Sequence, residues 1–148
     1  LAVMIDELSA DWLVAGASII VDCLDNYEAR LALNAVSVRR GVPMVHAAIS
    51  GLYGQITLLD PPRTPCLACI VGGRDTDGPS PAAGATAGLV GSLEALEAVK
   101  HLTGLGETLA GTLLLVDALS ARFERIALRK NPSCPVCSAL LGTVPAVD

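Results

Sequence analysis

The stretch ASIIVDCLDNYEARLALNAVSVRRGVPMVHAAIS, Ala17–Ser50, decides the fold class. It opens with ASIIVDC, a β-branched apolar run of the kind found in strands that are buried on both faces. From Asn26 to Arg40 the apolar residues recur at helical spacing, and Gly41 ends the pattern. PMVHAAIS then reads as a second buried strand. The stretch therefore predicts a strand–helix–strand unit whose two parallel strands are joined by a right-handed crossover.

The residues before this unit predict two short elements. Leu1–Asp6 reads as a strand, and Ser9 is expected to cap a short helix after it. The chain begins at LAVMIDEL without an initiator methionine, so it reads as a piece of a longer protein.

The residues after the unit predict a different kind of sheet. Segments 51–60, 111–119 and 121–129 read as strands, and the last alternates apolar and charged residues, as a half-exposed antiparallel strand does. Residues 86–104 predict a helix whose leucines and valine repeat every three to four positions. We expect one α/β domain over residues 1–148, with a Rossmann-like parallel part that continues into a mixed or antiparallel sheet.

Composition and charge restrict the possible partners and the compartment. Hydrophobic residues make up 52% of the 148 residues, and the net charge is −5 without a basic cluster, which argues against nucleic acid. The longest apolar run, Trp12–Val21, is too short to span a bilayer. No signal peptide is visible, so we expect a cytoplasmic protein with reduced thiols and no membrane partner.

Four of the five cysteines form two Cys-x-x-Cys pairs, Cys66 with Cys69 and Cys134 with Cys137. Two such turns can place four thiolates at the corners of one tetrahedral zinc site, which is then closed and structural. The alternatives are buried free thiols or two redox pairs. Redox pairs usually open a helix, and neither pair here is followed by helical spacing. The remaining cysteine, Cys23, is expected to be a small buried core residue.

Asp22 and Asp25 lie at the carboxyl end of the first buried strand of the unit. Ligands of open α/β sheets bind at this edge, and carboxylates there can hold magnesium against phosphates. A purely structural alternative remains open. Asp25 followed by Glu28 also fits a helix N-cap with a capping box.

Taken in order, the segments DCLDNYEAR, GLYGQITLLD, CLAC, GLVGSLEALEAVKHLTG and CPVC resemble the ThiF/MoeB/HesA family. This family comprises the bacterial relatives of ubiquitin-activating enzymes, and the resemblance covers essentially the whole chain, as the C-terminal part of the family's domain. It implies adenylation of the C-terminal glycine of a ubiquitin-like sulfur-carrier protein with ATP and magnesium. It also implies a homodimer with one structural zinc per subunit.

The resemblance assigns expected roles to individual residues. Asp25 matches the family's essential aspartate, which positions magnesium and the triphosphate, and Asn26 matches its neighbour in the nucleotide pocket. The four paired cysteines match the zinc ligands. Arg30 occupies a recurrent arginine position, and residues 72–84 correspond to a crossover loop over the carrier's tail.

Two departures from the family pattern matter. The crossover loop has no cysteine, which argues against a covalent thioester or persulfide there. The Gly-rich nucleotide loop and its basic partners, which lie upstream of DCLDN in the family, are missing, so the chain lacks the N-terminal nucleotide-binding half. We therefore expect this chain alone to be inactive as an adenylyltransferase. The alternative is a zinc-stapled, non-catalytic module that binds a ubiquitin-like partner or an enzyme subunit.

Overall fold

The computed structural model describes residues 2–72 and 81–140. In chain order its helices and strands are α1 (Glu7–Leu13), β1 (Ile20–Asp22), α2 (Tyr27–Arg40), β2 (Met44–Ser50), β3 (Tyr53–Leu59), α3 (Leu67–Val71), α4 (Gly84–Thr103), β4 (Thr112–Asp117), β5 (Arg122–Ala127) and a 3₁₀ turn (Ser138–Leu140). The predicted crossover loop lies largely outside the described residues, because they omit 73–80.

The five strands form one sheet in the order β1-β2-β3-β4-β5. β1 pairs with β2 in parallel, and every later neighbour is antiparallel. The strand–helix–strand unit and the change to an antiparallel sheet are therefore confirmed. The parallel register places Asp22, the last residue of β1, directly beside His46, the third residue of β2.

Helices cover both faces of the sheet because successive strand residues point to opposite sides. Met44 packs with Leu33 and Val36 of α2 on one face. Its neighbour Val45 packs with Val90 of α4 on the other face. α4 lies close to β3, where a Cβ added to Gly54 would stand 2.5 Å from the Val90 side chain.

The first predicted elements differ from those observed. Residues 2–6 form no strand, and Asp6 rather than Ser9 is the N-cap of α1. Ser9 occupies the third helical position, where its hydroxyl accepts from the Asp6 backbone N–H and its own N–H donates to the Asp6 carboxylate. This reciprocal capping box begins the helix three residues earlier than expected.

The antiparallel edge is more exposed than its pattern predicts. All six residues of β5 are exposed, so the half-buried expectation for that strand is wrong in this chain. The predicted repeat of α4 does form a helix, which Gly104 ends. Its buried face, however, carries Val90 and Ala98 together with Glu94 and Glu97.

The apolar stripe of α4 points away from the sheet. Leu96, Val99 and Leu102 are each more than half exposed, and Leu105 follows at 68%. Among the described residues, no helix has both the length and the apolar character needed to cross a membrane.

Candidate functional site

The four paired cysteines meet in one cluster, with all four sulfur atoms within 4.8 Å of one another. The Cys66 sulfur lies 3.7 Å from that of Cys134, and the Cys69 sulfur lies 3.4 Å from that of Cys137. Four thiolates bound to one zinc at about 2.3 Å would stand about 3.8 Å apart in a tetrahedron. The sulfur positions therefore fit a tetrahedral metal ion.

Short backbone turns hold the two cysteine pairs in place. The Cys69 N–H donates to the Cys66 carbonyl at 3.0 Å, and the Ser138 N–H donates to the Cys134 carbonyl at 3.1 Å. Asn34 of α2 accepts from the Leu67 N–H at 2.8 Å, which ties the first pair to the helix. The cluster thus joins the segment after β3 to the C-terminal segment.

The expectation that no helix follows either cysteine pair is wrong. Cys66 is the N-cap of α3, so a short helix does follow the first pair. The sulfur positions instead argue against two separate redox pairs. The Cys66 sulfur is nearer to that of Cys134, at 3.7 Å, than to that of Cys69, at 3.9 Å. Sulfurs from both pairs intermingle in one cluster, as the shared site predicts.

The electrostatics of the cluster favour one ionised sulfur. Burial raises the pKa of the Cys66 thiol to about 11. At Cys134 burial opposes ionisation, but hydrogen bonds from the backbone of Cys137 and Val136 and from neighbouring thiols lower the pKa to about 7. The backbone thus already stabilises negative charge where a cation would bind.

At the carboxyl end of β1, Asn26 is the N-cap of α2. Its Oδ1 accepts from the Ala29 N–H at 2.9 Å, and its Nδ2 donates to Asp25 Oδ1 at 3.2 Å. The alternative role of Asp25 as the cap is therefore wrong. Asp25 is exposed, and its carboxylate does not cap the helix.

Behind this turn lies a buried polar network that the sequence did not reveal. Asp22 Oδ2 lies 2.7 Å from His46 Nδ1, and both side chains are fully buried. His46 Nε2 faces the amide of Gln55 at 3.3 Å. Arg30, 8% exposed, forms an ion pair from its Nε to Asp22 Oδ2 at 3.4 Å. The sequence offered two signals for this network, Asp22 at the end of one apolar run and His46 inside the next one.

Glu94 reaches the same edge from α4. It is 4% exposed, and its Oε1 is buried without a hydrogen-bond partner among the described residues. Burial and the nearby charge of Asp22 raise the pKa of Glu94 to about 7. Its Oε2 lies 4.0 Å from the sulfur of Cys23, which is exposed rather than in the core. The expectation for Cys23 is wrong because β1 already ends at Asp22.

Together, the sheet, the acidic turn at the end of β1 and the four-cysteine cluster define a Rossmann-like α/β protein with a cysteine cluster that could hold a metal ion. The chain matches the ThiF family over residues 2–136 and belongs to that family. The resemblance drawn from its motifs is thereby confirmed.

Curated relatives carry related names. A SAMP-activating enzyme E1 from Haloferax volcanii is 39% identical over 150 residues, which cover 97% of this chain and 54% of that protein. A sulfur carrier protein adenylyltransferase from Thermus thermophilus is 38% identical over 130 residues, covering 80% of this chain and 48% of its own length. The chain spans about half the length of the curated relatives that it matches.

Solved structures share the fold. The crystal structure of E. coli MccB with ATP superposes with a TM-score of 0.75 and covers 93% of this chain and 44% of that one. A second MccB structure, with AMPCPP and MccA, gives a TM-score of 0.76. Sequence identity is 20% and 19%, respectively, so this likeness establishes the architecture alone.

Proposed function

We propose that this chain is part of an ATP-dependent adenylyltransferase that activates the C-terminal glycine of a ubiquitin-like sulfur-carrier protein. The relative from Thermus thermophilus, whose name states adenylation of a sulfur carrier, supports this reaction. The carrier's terminal carboxylate attacks the α-phosphate of ATP, and pyrophosphate leaves. The observation that carries the proposal is the exposed carboxylate of Asp25 at the ligand-binding edge of the sheet.

Asp25 would hold magnesium, which neutralises charge on the triphosphate as pyrophosphate departs. The local geometry suits this role, because Asn26 takes over helix capping and also orients one oxygen of Asp25. Asn26 thereby shapes the nucleotide pocket. One carboxylate cannot bind ATP without a phosphate-cradling loop, so that loop would lie outside this chain. This chain alone would then be inactive.

The four-cysteine cluster would hold a structural zinc. Four sulfur donors leave no open coordination position, so the metal stabilises the fold and takes no part in the chemistry. Such a site needs reduced thiols, and the proposal therefore includes a cytosolic compartment.

The active protein would be a homodimer. Leu96, Val99 and Leu102 are exposed on one helix, and contiguous exposed apolar side chains often mark a protein–protein interface. A second copy of the protein is the proposed partner at this stripe.

The rival function is a zinc-stapled module that binds a ubiquitin-like protein without catalysis. Carrier-dependent exchange of radiolabelled pyrophosphate into ATP by the full-length protein separates the two. Exchange with a carrier that ends in glycine, and none with a carrier that lacks this glycine, would support the enzyme. Carrier binding without exchange would support the module.

A further inference from the structure

We infer that Arg30, together with Asp22, is a positioning residue that holds the turn carrying Asp25 and Asn26 in its working geometry. The inference rests on the proposed role of Asp25. It gives a function to a buried charge pair that the adenylation chemistry does not itself use.

Arg30 connects the turn to the sheet. Its Nη2 donates to the carbonyl of Ala47 on β2 at 3.0 Å and also to the carbonyl of Leu24, the residue directly before Asp25. The Tyr27 ring lies 5.3 Å from the guanidinium carbon and shields it. The turn is thus fixed to β2 through one buried side chain.

Asp22 binds the backbone N–H of Leu24, the residue whose carbonyl accepts from Arg30. Its Oδ1 accepts from the Leu24 N–H at 3.1 Å, and its Oδ2 accepts from His46 Nδ1 at 2.7 Å. An ionised carboxylate only accepts, so His46 donates from Nδ1 and fixes the Asp22 side chain. Both backbone polar groups of Leu24 are therefore held by Asp22 and Arg30.

The arrangement depends on the shape of the guanidinium. Several donors in one plane can face the Asp22 carboxylate and two carbonyls at once, whereas a lysine offers a single ammonium. Arg30→Lys keeps the charge but cannot maintain all of these contacts. Misplacing a reacting group by about 1 Å can cost about a hundredfold in rate.

The test is a double-mutant cycle in the full-length protein, measured as kcat for carrier-dependent pyrophosphate exchange. Arg30→Lys should lower kcat by about tenfold or more in the otherwise wild-type protein, but by less than about threefold when Asp25 is already Asn. Arg40→Lys, on the same helix in an exposed ion pair with Asp11, should leave kcat unchanged in both backgrounds. Equal losses from Arg30→Lys in both backgrounds would overturn the inference.

Two further measurements cover the case of a poorly folded variant or an absent activity. Asp22→Asn keeps the size and the Leu24 acceptor, and it should show the same coupling to Asp25. Hydrogen–deuterium exchange of the peptide covering residues 21–28 should quicken in Arg30→Lys but not in Arg40→Lys. If the wild-type protein shows no exchange of pyrophosphate, the proposed function fails. The deuterium measurement then decides the positioning claim, and an unchanged peptide would overturn it.

Discussion

Asn26 donates from its side-chain amide to the carboxylate of Asp25 at 3.2 Å while its own oxygen caps α2. Asn26 thus caps the helix, while the adjacent Asp25 presents an exposed negative charge. This division makes their stability effects separable.

Asn26→Ala removes the cap and should destabilise the protein by about 1 kcal/mol. The melting temperature should fall by roughly 2–5 °C. Asp25→Ala should change it much less, because the Asp25 carboxylate is exposed and caps nothing. Thermal unfolding followed by circular dichroism measures both. A larger loss of thermal stability from Asp25→Ala than from Asn26→Ala would show that Asn26 is not the residue that caps α2.

The cysteine cluster should hold one zinc per chain. Cys134→Ser removes one thiolate and should lower zinc content and thermal stability together, because metal binding is part of the folding free energy. Cys23→Ser is the matched control, since Cys23 is exposed and outside the cluster. Metal analysis gives the content, and X-ray absorption should show four sulfur ligands. An iron chromophore or a disulfide within the cluster would argue against this assignment.

Glu94 should make stability depend on pH. Its pKa is raised from 4.5 to about 7, so its stabilising contribution is complete below about pH 4.5 and is lost as pH rises toward 7. Glu94→Gln removes the cost of burying the charge. It should stabilise the protein by roughly 1–3 kcal/mol at about pH 8, with little effect near about pH 4.

The matched control is Glu97→Gln, one helical turn along α4. Glu97 is equally buried, but it accepts from the Leu109 N–H at 2.7 Å and pairs with Lys100. Its replacement should not stabilise the protein at any pH. Equal pH profiles for wild type and Glu94→Gln would show that the Glu94 carboxylate is not desolvated.

The apolar stripe of α4 should mediate self-association. Leu102→Glu places a charge on the stripe and should shift the full-length protein toward monomer in light scattering. Leu119→Glu, at an exposed leucine outside α4, should not. A dimer that tolerates Leu102→Glu would place the interface elsewhere.

Short-range patterns in the sequence predicted much of this structure. Helical spacing from Asn26 to Arg40 and the two Cys-x-x-Cys pairs are local signals, and α2 and the sulfur cluster follow them. The capping residue was missed by one position, because Asp and Asn cap about equally well and stand side by side here.

Tertiary context decided the rest. The burial of Glu94 depends on which face of α4 is turned toward the sheet. The helical repeat of α4 alone favours its leucines as that buried face. The contact of Asp22 with His46 depends on the parallel register, which follows from pairing over 24 residues. β5 alternates in sequence, but a strand at the sheet edge is buried only where another surface covers it.

The central claim is that Asp25 acts in adenylation, and the most direct measurement is the Asp25→Asn variant of the full-length protein. The change removes the charge and keeps the side-chain size, so the melting temperature should stay within a few degrees. Carrier-dependent pyrophosphate exchange should fall by at least about a hundredfold, as expected for losing one key electrostatic contact. Unchanged exchange on the same preparation would contradict the account.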